Sequence, residues 1–385
     1  MDTCTKFENK ASLLITNNSS DSVFLAAVSG GADSMAMLAA LCALKDSGLI
    51  GKDALFCLHV EHALRSAEES LGDAEFVRAF CQSHGVECRI KHIPPGKIES
   101  LAQRKGIGIE AAARFFRYKA LSREAARLGA RTLILTGHTK DDLLETALMR
   151  ILRGVGPAGL AAMQESSEQR TGNKKHNEDR AVILRPLLSM SRADVISYLQ
   201  AKRITWREDS SNTDEKFLRN KIRHRLVPLL NELFPSWKTG VGAMAETQSL
   251  VSSFLTGEAA VRIAWKKNFH NEPLRTEIKK EGLVLSTDKN LFFAQPLIIR
   301  EEAIFQGINT LCASAASVPP CEKIRTKSIK RSVIRRFCAG TITAADLGKI
   351  GIRQEKGKIF LFKAPKEFFE CGVSRLIIQS RLDNL

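Results

Sequence analysis

Residues Ser22–Ser34 read SVFLAAVSGGADS, and the parsing of this stretch decides the fold. Val23–Val28 is an unbroken apolar, β-rich run that leads directly into Ser29-Gly30-Gly31-Ala32-Asp33-Ser34. A helical pattern follows over Asp33–Leu44. An apolar run without polar alternation suits a strand covered on both faces, as in a parallel sheet. Two glycines at its end let the backbone approach a ligand closely and adopt conformations that side chains forbid. The helix that starts at once turns its free N–H groups to the same point, so an anion is the natural guest. The spacing is not that of a Walker loop, and no lysine is present to reach β- and γ-phosphates. Asp33 inside the turn suits a nucleotide whose pyrophosphate leaves, with the carboxylate organising Mg²⁺ or the attacked phosphate. The alternative without a ligand is a glycine turn in which Asp33 or Ser34 caps the helix.

Outward from this junction, strands are expected at Val23–Val28, Ala54–Val60, Val86–Ile93 and Arg131–Thr136, with helices at Asp33–Leu44, Ala67–His84, Ile109–Leu128 and Asp141–Leu152. That alternation predicts an α/β fold, a Rossmann-like parallel sheet with helices on both faces. Gln164–Arg180 has no apolar residue and reads as a mobile surface loop, and the Ser191-x-x-Asp194 opening reads as a capping box. Phe234–Gly240 reads as the boundary between a catalytic domain, 1–235, and a smaller C-terminal helical/α+β domain, 240–385. The latter reads as helical near Val241–Phe269, Pro296–Leu311 and Lys327–Phe337, with short strands at Lys358–Lys363 and Ser374–Ile378.

Of the 385 residues, 58 are Lys or Arg and 42 Asp or Glu, a formal net charge of +16 that suits a polyanionic partner. The basic stretch Pro319–Arg335 has few aromatic residues, which suits backbone contacts to a nucleic acid over base stacking. Apolar runs fall well short of the roughly 18 residues of a membrane span, and no secretory leader is legible, so a soluble cytoplasmic protein is expected. Nine cysteines are scattered with no C-x-x-C, and they read as buried small hydrophobes in a reducing compartment, with no metal-ligand spacing.

A second cluster also leaves a strand and opens a helix: Thr136-Gly137-His138-Thr139-Lys140-Asp141-Asp142-Leu143-Leu144-Glu145. Asp141, Asp142 and Glu145 share the first turn's surface, and Leu144, Leu148, Ile151 and Leu152 form the opposing stripe. First-turn acids also satisfy the helix dipole, which leaves His138 and Gly137 unexplained. Near a phosphate site, three carboxylates suit Mg²⁺ or an incoming ammonium group. Leu218, Ile222, Leu226 and Leu229 recur at helical spacing, which predicts that Arg219, Lys221, Arg223, His224 and Arg225 project outward to phosphates.

Ser29–Ser34 resembles the PP-loop of the ATP pyrophosphatase superfamily (the adenine nucleotide alpha hydrolase-like fold). The run Gly137–Gly154, then Gly156–Met163, Arg185-Pro186-Leu187-Leu188 with Ser191-Arg192, Trp206–Asn212 and Phe217–His224 resembles the tRNA(Ile)-lysidine synthetase family over about Ser22–Leu230. Trp206–Asn212 includes Arg207. His59–Arg65 resembles that family's HVDHGLR, with Glu61 for Asp and Ala63 for Gly. The resemblance implies ATP with Mg²⁺ on Ser29, Gly30, Gly31, Ala32, Asp33 and Ser34, the metal at Asp33, and nucleotide contacts from His62, Arg65 and Arg114. It implies a lysine or metal role for Asp141, Asp142 and Glu145, and for His138 that of proton acceptor or phosphate contact. Arg185, Arg192, Arg207, Arg219, Asn220, Arg223 and His224 would meet tRNA. The implied partners are an isoleucine tRNA with a CAU anticodon and free L-lysine, and the resemblance leaves room for a homodimer. The rival within the superfamily is a PP-loop tRNA thiolase or another adenylating tRNA-modifying enzyme; the missing C-x-x-C speaks against the thiolase.

Overall fold

The computed structural model describes residues 3–16, 22–64, 67–129, 131–161, 163–170, 180–208, 218–268, 283–313, 331–347 and 350–363. The chain divides into two compact units, 1–249 and 250–385.

The first unit is built on a six-stranded sheet. Its elements are α1 (Thr3–Thr16), β1 (Val23–Ala27), α2 (Ala32–Asp46), β2 (Leu55–Glu61), α3 (Ala67–Ser83), β3 (Glu87–His92), α4 (Lys97–Lys105), α5 (Ile109–Leu128), β4 (Thr132–Thr136), α6 (Lys140–Ile151), α7 (Pro157–Leu160), β5 (Ser166–Arg170), β6 (Arg180–Leu184), α8 (Arg192–Ala201), α9 (Leu218–Lys221), a π-helical turn at Ile222–Leu226, and α10 (Val227–Leu233). The strand order is β3-β2-β1-β4-β6-β5, parallel except for the antiparallel β5–β6 pair. β1 lies between β2 and β4, with Ala27 level with Leu58 on one side and Thr136 on the other. The chain therefore steps outward through β2 and β3 and returns across β1 to β4. Beyond the carboxyl ends of β1 and β4 lies the crevice where open α/β sheets bind ligands.

β1 is buried on both faces, as an unbroken apolar run requires. Phe24 and Ala26 enter a core with Met35, Leu38, Leu41 and Val195, while Leu25 enters a second core with Tyr118, Leu121 and Ile134. α1, which the sequence reading missed, joins the first core through Phe7, whose ring stacks on Tyr198 at 4.1 Å, and the Tyr198 hydroxyl donates to Glu8 at 2.9 Å.

Three further expectations are corrected. Gln164–Arg180 is not simply a loop, because Ser166–Arg170 pairs with Arg180–Leu184 as an edge hairpin; residues 171–179 lie outside the described ones. A strand at the sheet edge needs ladder bonds but no apolar face, so its polar sequence hid it. In α6, Leu144 and Leu148 are buried, but Ile151 and Leu152 are exposed because the helix ends at Ile151. Trp237–Gly240, within the stretch read as a domain boundary, begins the long helix α11 (Trp237–Arg262), which the units' division at Ser249/Leu250 falls within.

The second unit continues with β7 (Lys266–Asn268), β8 (Val284–Asp288), α12 (Lys289–Phe293), α13 (Leu297–Ala313), α14 (Arg331–Cys338), β9 (Ala344–Asp346), β10 (Ile350–Glu355) and β11 (Lys358–Lys363). Its antiparallel sheet has the order β7-β8-β11-β10-β9. Ile304 and Ile308 of α13 and Phe337 of α14 pack on Leu285, Ile352 and Leu361 of that sheet. Only Lys358–Lys363 among these strands was anticipated, and Ser374–Ile378 lies outside the described residues. Within the basic stretch Pro319–Arg335, described from Arg331 onward, Arg331 and Arg335 pair with buried Glu301 at 3.3 and 2.8 Å while their side chains stay largely exposed. Among the described residues, no helix is long and apolar enough to cross a membrane.

Candidate functional site

The turn after β1 is held by its own hydroxyls. The Ser29 N–H donates to Ser34 Oγ at 3.2 Å, and the Ser34 hydroxyl donates to the Gly31 carbonyl at 2.8 Å. Gly30 sits at φ +92°, a conformation that needs glycine, and its carbonyl accepts the Arg207 N–H at 2.9 Å. Gly31 caps α2 without a side-chain hydrogen bond, so the first-turn N–H groups are left for a ligand. Asp33 stands at that end, one oxygen paired with Arg192 at 2.5 Å and the other, Oδ1, buried without a hydrogen-bond partner. Burial raises the Asp33 pKa and Asp142 adds to the rise, against the pull of Arg192. An orphaned carboxylate oxygen beside an anion-seeking helix end is a fitting donor for a divalent cation accompanying a polyphosphate.

The turn after β4 lies against this loop. A Cβ on Gly137 would fall 2.8 Å from the Asp33 carbonyl oxygen and 2.9 Å from its carbon, a backbone approach that only glycine permits. His138 Nδ1 lies 2.9 Å from the hydroxyl of Thr136, the last residue of β4. Burial drives its pKa down to about 3, with Asp142 opposing and Arg114, Arg117 and Arg185 assisting, so the imidazole is neutral at physiological pH. Thr139 caps α6 in a capping box with Asp142, whose Oδ2 accepts the Thr139 N–H at 2.9 Å.

Each carboxylate here has a cation. Asp142 Oδ1 accepts Arg219 Nη2 at 2.7 Å. Buried Glu145 accepts Arg219 Nε at 3.0 Å and both Nε and Nη2 of Arg223, at 2.7 and 3.0 Å. Asp141 accepts the Arg192 N–H at 2.7 Å and Lys238 Nζ at 3.0 Å. Burial pushes the Asp141 pKa up, yet that N–H and the Lys238 ammonium hold it below the usual carboxylate range. Asp33, Asp141, Asp142 and Glu145 thus face Arg192, Lys238, Arg219 and Arg223, a charge-balanced network across the crevice.

This geometry corrects the outward placement of the basic residues. Arg219 and Arg223 turn inward, because Ile222 between them is buried and buried Glu145 needs counter-charge, while Leu218 and Leu229 are exposed. Arg185 is buried and donates to the Gln164 carbonyl at 2.6 Å and Ser167 at 3.1 Å, which anchors the edge hairpin. Arg207 donates to Asp73 at 2.9 Å beside the β1 turn, and Arg192 lies on Asp33. Asn220 lies on α9 and His224 is exposed in the π-helical turn. Arg114 of α5 is exposed and donates to Tyr118 at 3.1 Å. His62 follows β2, half-buried; Arg65 lies outside the described residues. Glu61 accepts the Ala63 N–H at 2.9 Å and faces His92 at 2.8 Å, and Ala63 itself sits at φ +50°. Lys238 and Asp73 joined the site unannounced. Both charges lie far in sequence from the loops they serve, so no local spacing marks them.

A doubly wound sheet with a Ser-Gly-Gly-x-Asp-Ser turn at its switch point and no Walker lysine defines a nucleotide-binding α/β domain. The chain belongs to the PP-loop domain family, which matches residues 3–230. Among curated relatives, the tRNA(Ile)-lysidine synthase of Treponema denticola is 35% identical over 280 residues, 69% of this chain and 57% of the relative. Those of Treponema pallidum are 37% identical over 287 residues, 72% of this chain and 54% of theirs. The chain thus spans about half the length of the curated relatives it matches. A solved structure, the U34-tRNA thiolase NcsA of Methanococcus maripaludis, overlaps 64% of this chain and 79% of its own at 14% identity and a TM-score of 0.49.

Proposed function

We propose that the chain is an ATP-dependent ligase of the kind its relatives are named for, joining free L-lysine to the wobble cytidine of a CAU-anticodon isoleucine tRNA. The observation that carries the reading is the carboxylate cluster of Asp141, Asp142 and Glu145 one turn from the PP-loop, filled in this state by guanidinium and ammonium groups of the chain itself. A site that holds Lys238 Nζ on Asp141 has the donor set for a second ammonium group.

In this reading the PP-loop amides and the N-terminus of α2 bind the ATP phosphates, and Asp33 holds Mg²⁺, which supplies charge neutralisation at the polyphosphate. The cytidine position-2 oxygen attacks the α-phosphorus and pyrophosphate leaves. The lysine ε-amine then attacks ring position 2 of the adenylate, and AMP leaves. The chain's work is positioning and charge compensation. As ATP and lysine arrive, Arg192, Arg219 and Arg223 exchange a carboxylate for a phosphate or make way for the ammonium group. His138, neutral at rest, becomes a better proton acceptor once phosphate charge lies beside it. Arg114 and His62 would meet the nucleotide, as would Arg65 from outside the described residues, and exposed His224 with Asn220 would meet tRNA.

The test incubates purified chain with ATP, Mg²⁺, radiolabelled L-lysine and unmodified isoleucine tRNA bearing CAU. Methionine tRNA and Asp142→Ala serve as controls. The reading predicts lysine retained on the isoleucine tRNA alone, AMP formed with it, and at least a hundredfold loss in Asp142→Ala, on the order of one lost charge-stabilising contact. AMP release without lysine transfer would replace lysine by another nucleophile; label on both tRNAs would remove the specificity.

A further inference from the structure

Three cysteines from three successive elements converge behind the sheet's β3 edge. Cys57 lies on β2, Cys81 on α3 and Cys88 on β3, and their sulfurs all lie within 4.8 Å of one another. Cys57 and Cys88 are partners across the β2–β3 ladder, so both side chains leave the same face of the sheet, and α3 lowers Cys81 onto it. Cys57 and Cys81 are fully buried, whereas Cys88 is half-buried and opens the cluster to solvent.

We propose that Cys57, Cys81 and Cys88 form a binding site for a soft, thiophilic d¹⁰ cation, Zn²⁺ or Cu⁺, separate from the PP-loop and its Mg²⁺. Three thiols in one core could serve only as apolar filling, the role of most buried cysteines. These three differ in that each comes from a different element, and their mutual spacing is already close to that of ligands on one ion. With Zn–S near 2.3 Å, tetrahedral sulfurs lie about 3.8 Å apart, so sub-ångström to one-ångström side-chain adjustments close the site. Sulfur donors select soft ions over Mg²⁺, and the half-buried side at Cys88 admits the ion and leaves a position for water as fourth ligand. On capture of Zn²⁺ each thiol that binds releases its proton, so Zn²⁺ and three thiols give a singly negative Zn(S-Cys)₃ centre and three protons, and Arg78 of α3 lies near enough to Cys88 to offset that charge. The ion would tie α3 to β2 and β3. Because Asp73 of the same helix holds Arg207 beside Gly30, it would also stiffen one wall of the nucleotide loop.

The experiment uses the reduced, untagged chain under anaerobic conditions. Co²⁺ serves as a coloured probe for Zn²⁺, followed by Zn²⁺ displacement and, separately, Cu⁺ titration against a competing chelator. One ion per chain is expected, with a sulfur-to-cobalt charge-transfer band in the near ultraviolet and a thermal midpoint raised by Zn²⁺. Cys88→Ser, the half-exposed position least able to unfold the core, should abolish the band and weaken binding more than about tenfold, since even outer-shell changes cost metal sites that much. Cys312→Ser should leave both unchanged. No charge-transfer band and no Cu⁺ uptake would overturn the proposal, as would an ion that Cys88→Ser binds undiminished. ATP binding, measured in parallel without any soft ion, is expected to persist, so failure here is separable from failure of the ligase reading.

Discussion

Replacing Glu145 by Gln keeps the side chain's shape and removes one charge from the centre of the α6 network. Glu145 is 5% exposed at its side chain and accepts three hydrogen bonds, from Arg219 Nε at 3.0 Å and from Arg223 at 2.7 and 3.0 Å. Removing one partner of a buried ion pair costs about 3–5 kcal/mol. The two arginines are 25% and 40% exposed, so water recovers part of their hydration, and Asp142 still faces both. The expected loss therefore falls below that range, at about 2–3 kcal/mol. Urea unfolding followed by tryptophan fluorescence reads it, because Trp237 is buried in the cluster of Leu144, Leu148 and Ile222 that α6 shares with the π-helical turn. A double-mutant cycle with Arg223→Gln should return a coupling of about 1–2 kcal/mol, since the residues touch directly. A loss under about 0.5 kcal/mol, typical of ordinary surface changes, or a coupling near zero would refute the view that these guanidinium groups are the carboxylate's counter-charges.

Gly137→Ala should lower ATP binding at least about tenfold with little loss of secondary structure, because its Cβ would press on the backbone of Asp33 and push the PP-loop aside; equilibrium binding of a non-hydrolysable ATP analogue checks it. Ala63→Gly should stabilise the chain by about 0.5–1 kcal/mol by relieving the left-handed φ of +50°, and an unchanged urea midpoint would show that no strain is held there. His138 stays neutral in the folded chain down to about pH 3, whereas an unfolded histidine takes its proton near 6.5. The unfolded chain therefore binds more protons across that window, and stability falls as pH drops below about 6.5. Asp141, held low, adds a loss as pH falls through the carboxylate range. Urea midpoints from pH 7 to 4 should fall faster in the parent than in His138→Gln; parallel curves would contradict the assignment.

Local sequence determined the parts of this protein that depend on contiguous residues. The β1 turn, the parallel α/β alternation, the capping boxes at Thr139 and Ser191 and the acidic first turn of α6 are all set by periodicity and by groups within four residues of one another. What spacing could not carry is the pairing of charges. Arg219 and Arg223 look like a solvated basic face until α6 brings Glu145 beneath them, where burial makes an unpaired carboxylate too costly to tolerate. Lys238 sits in a segment that reads as a domain boundary, and only the fold brings it to Asp141. The same holds for Cys57, Cys81 and Cys88, whose separation along the chain conceals a common face of the β2–β3 pair. The β5 edge strand was illegible for a related reason. An edge needs ladder bonds but no apolar face, so Ser166–Arg170 leaves no period to read. Elements follow from neighbours along the chain; the site's electrostatics follow from neighbours in space, which tertiary packing alone selects.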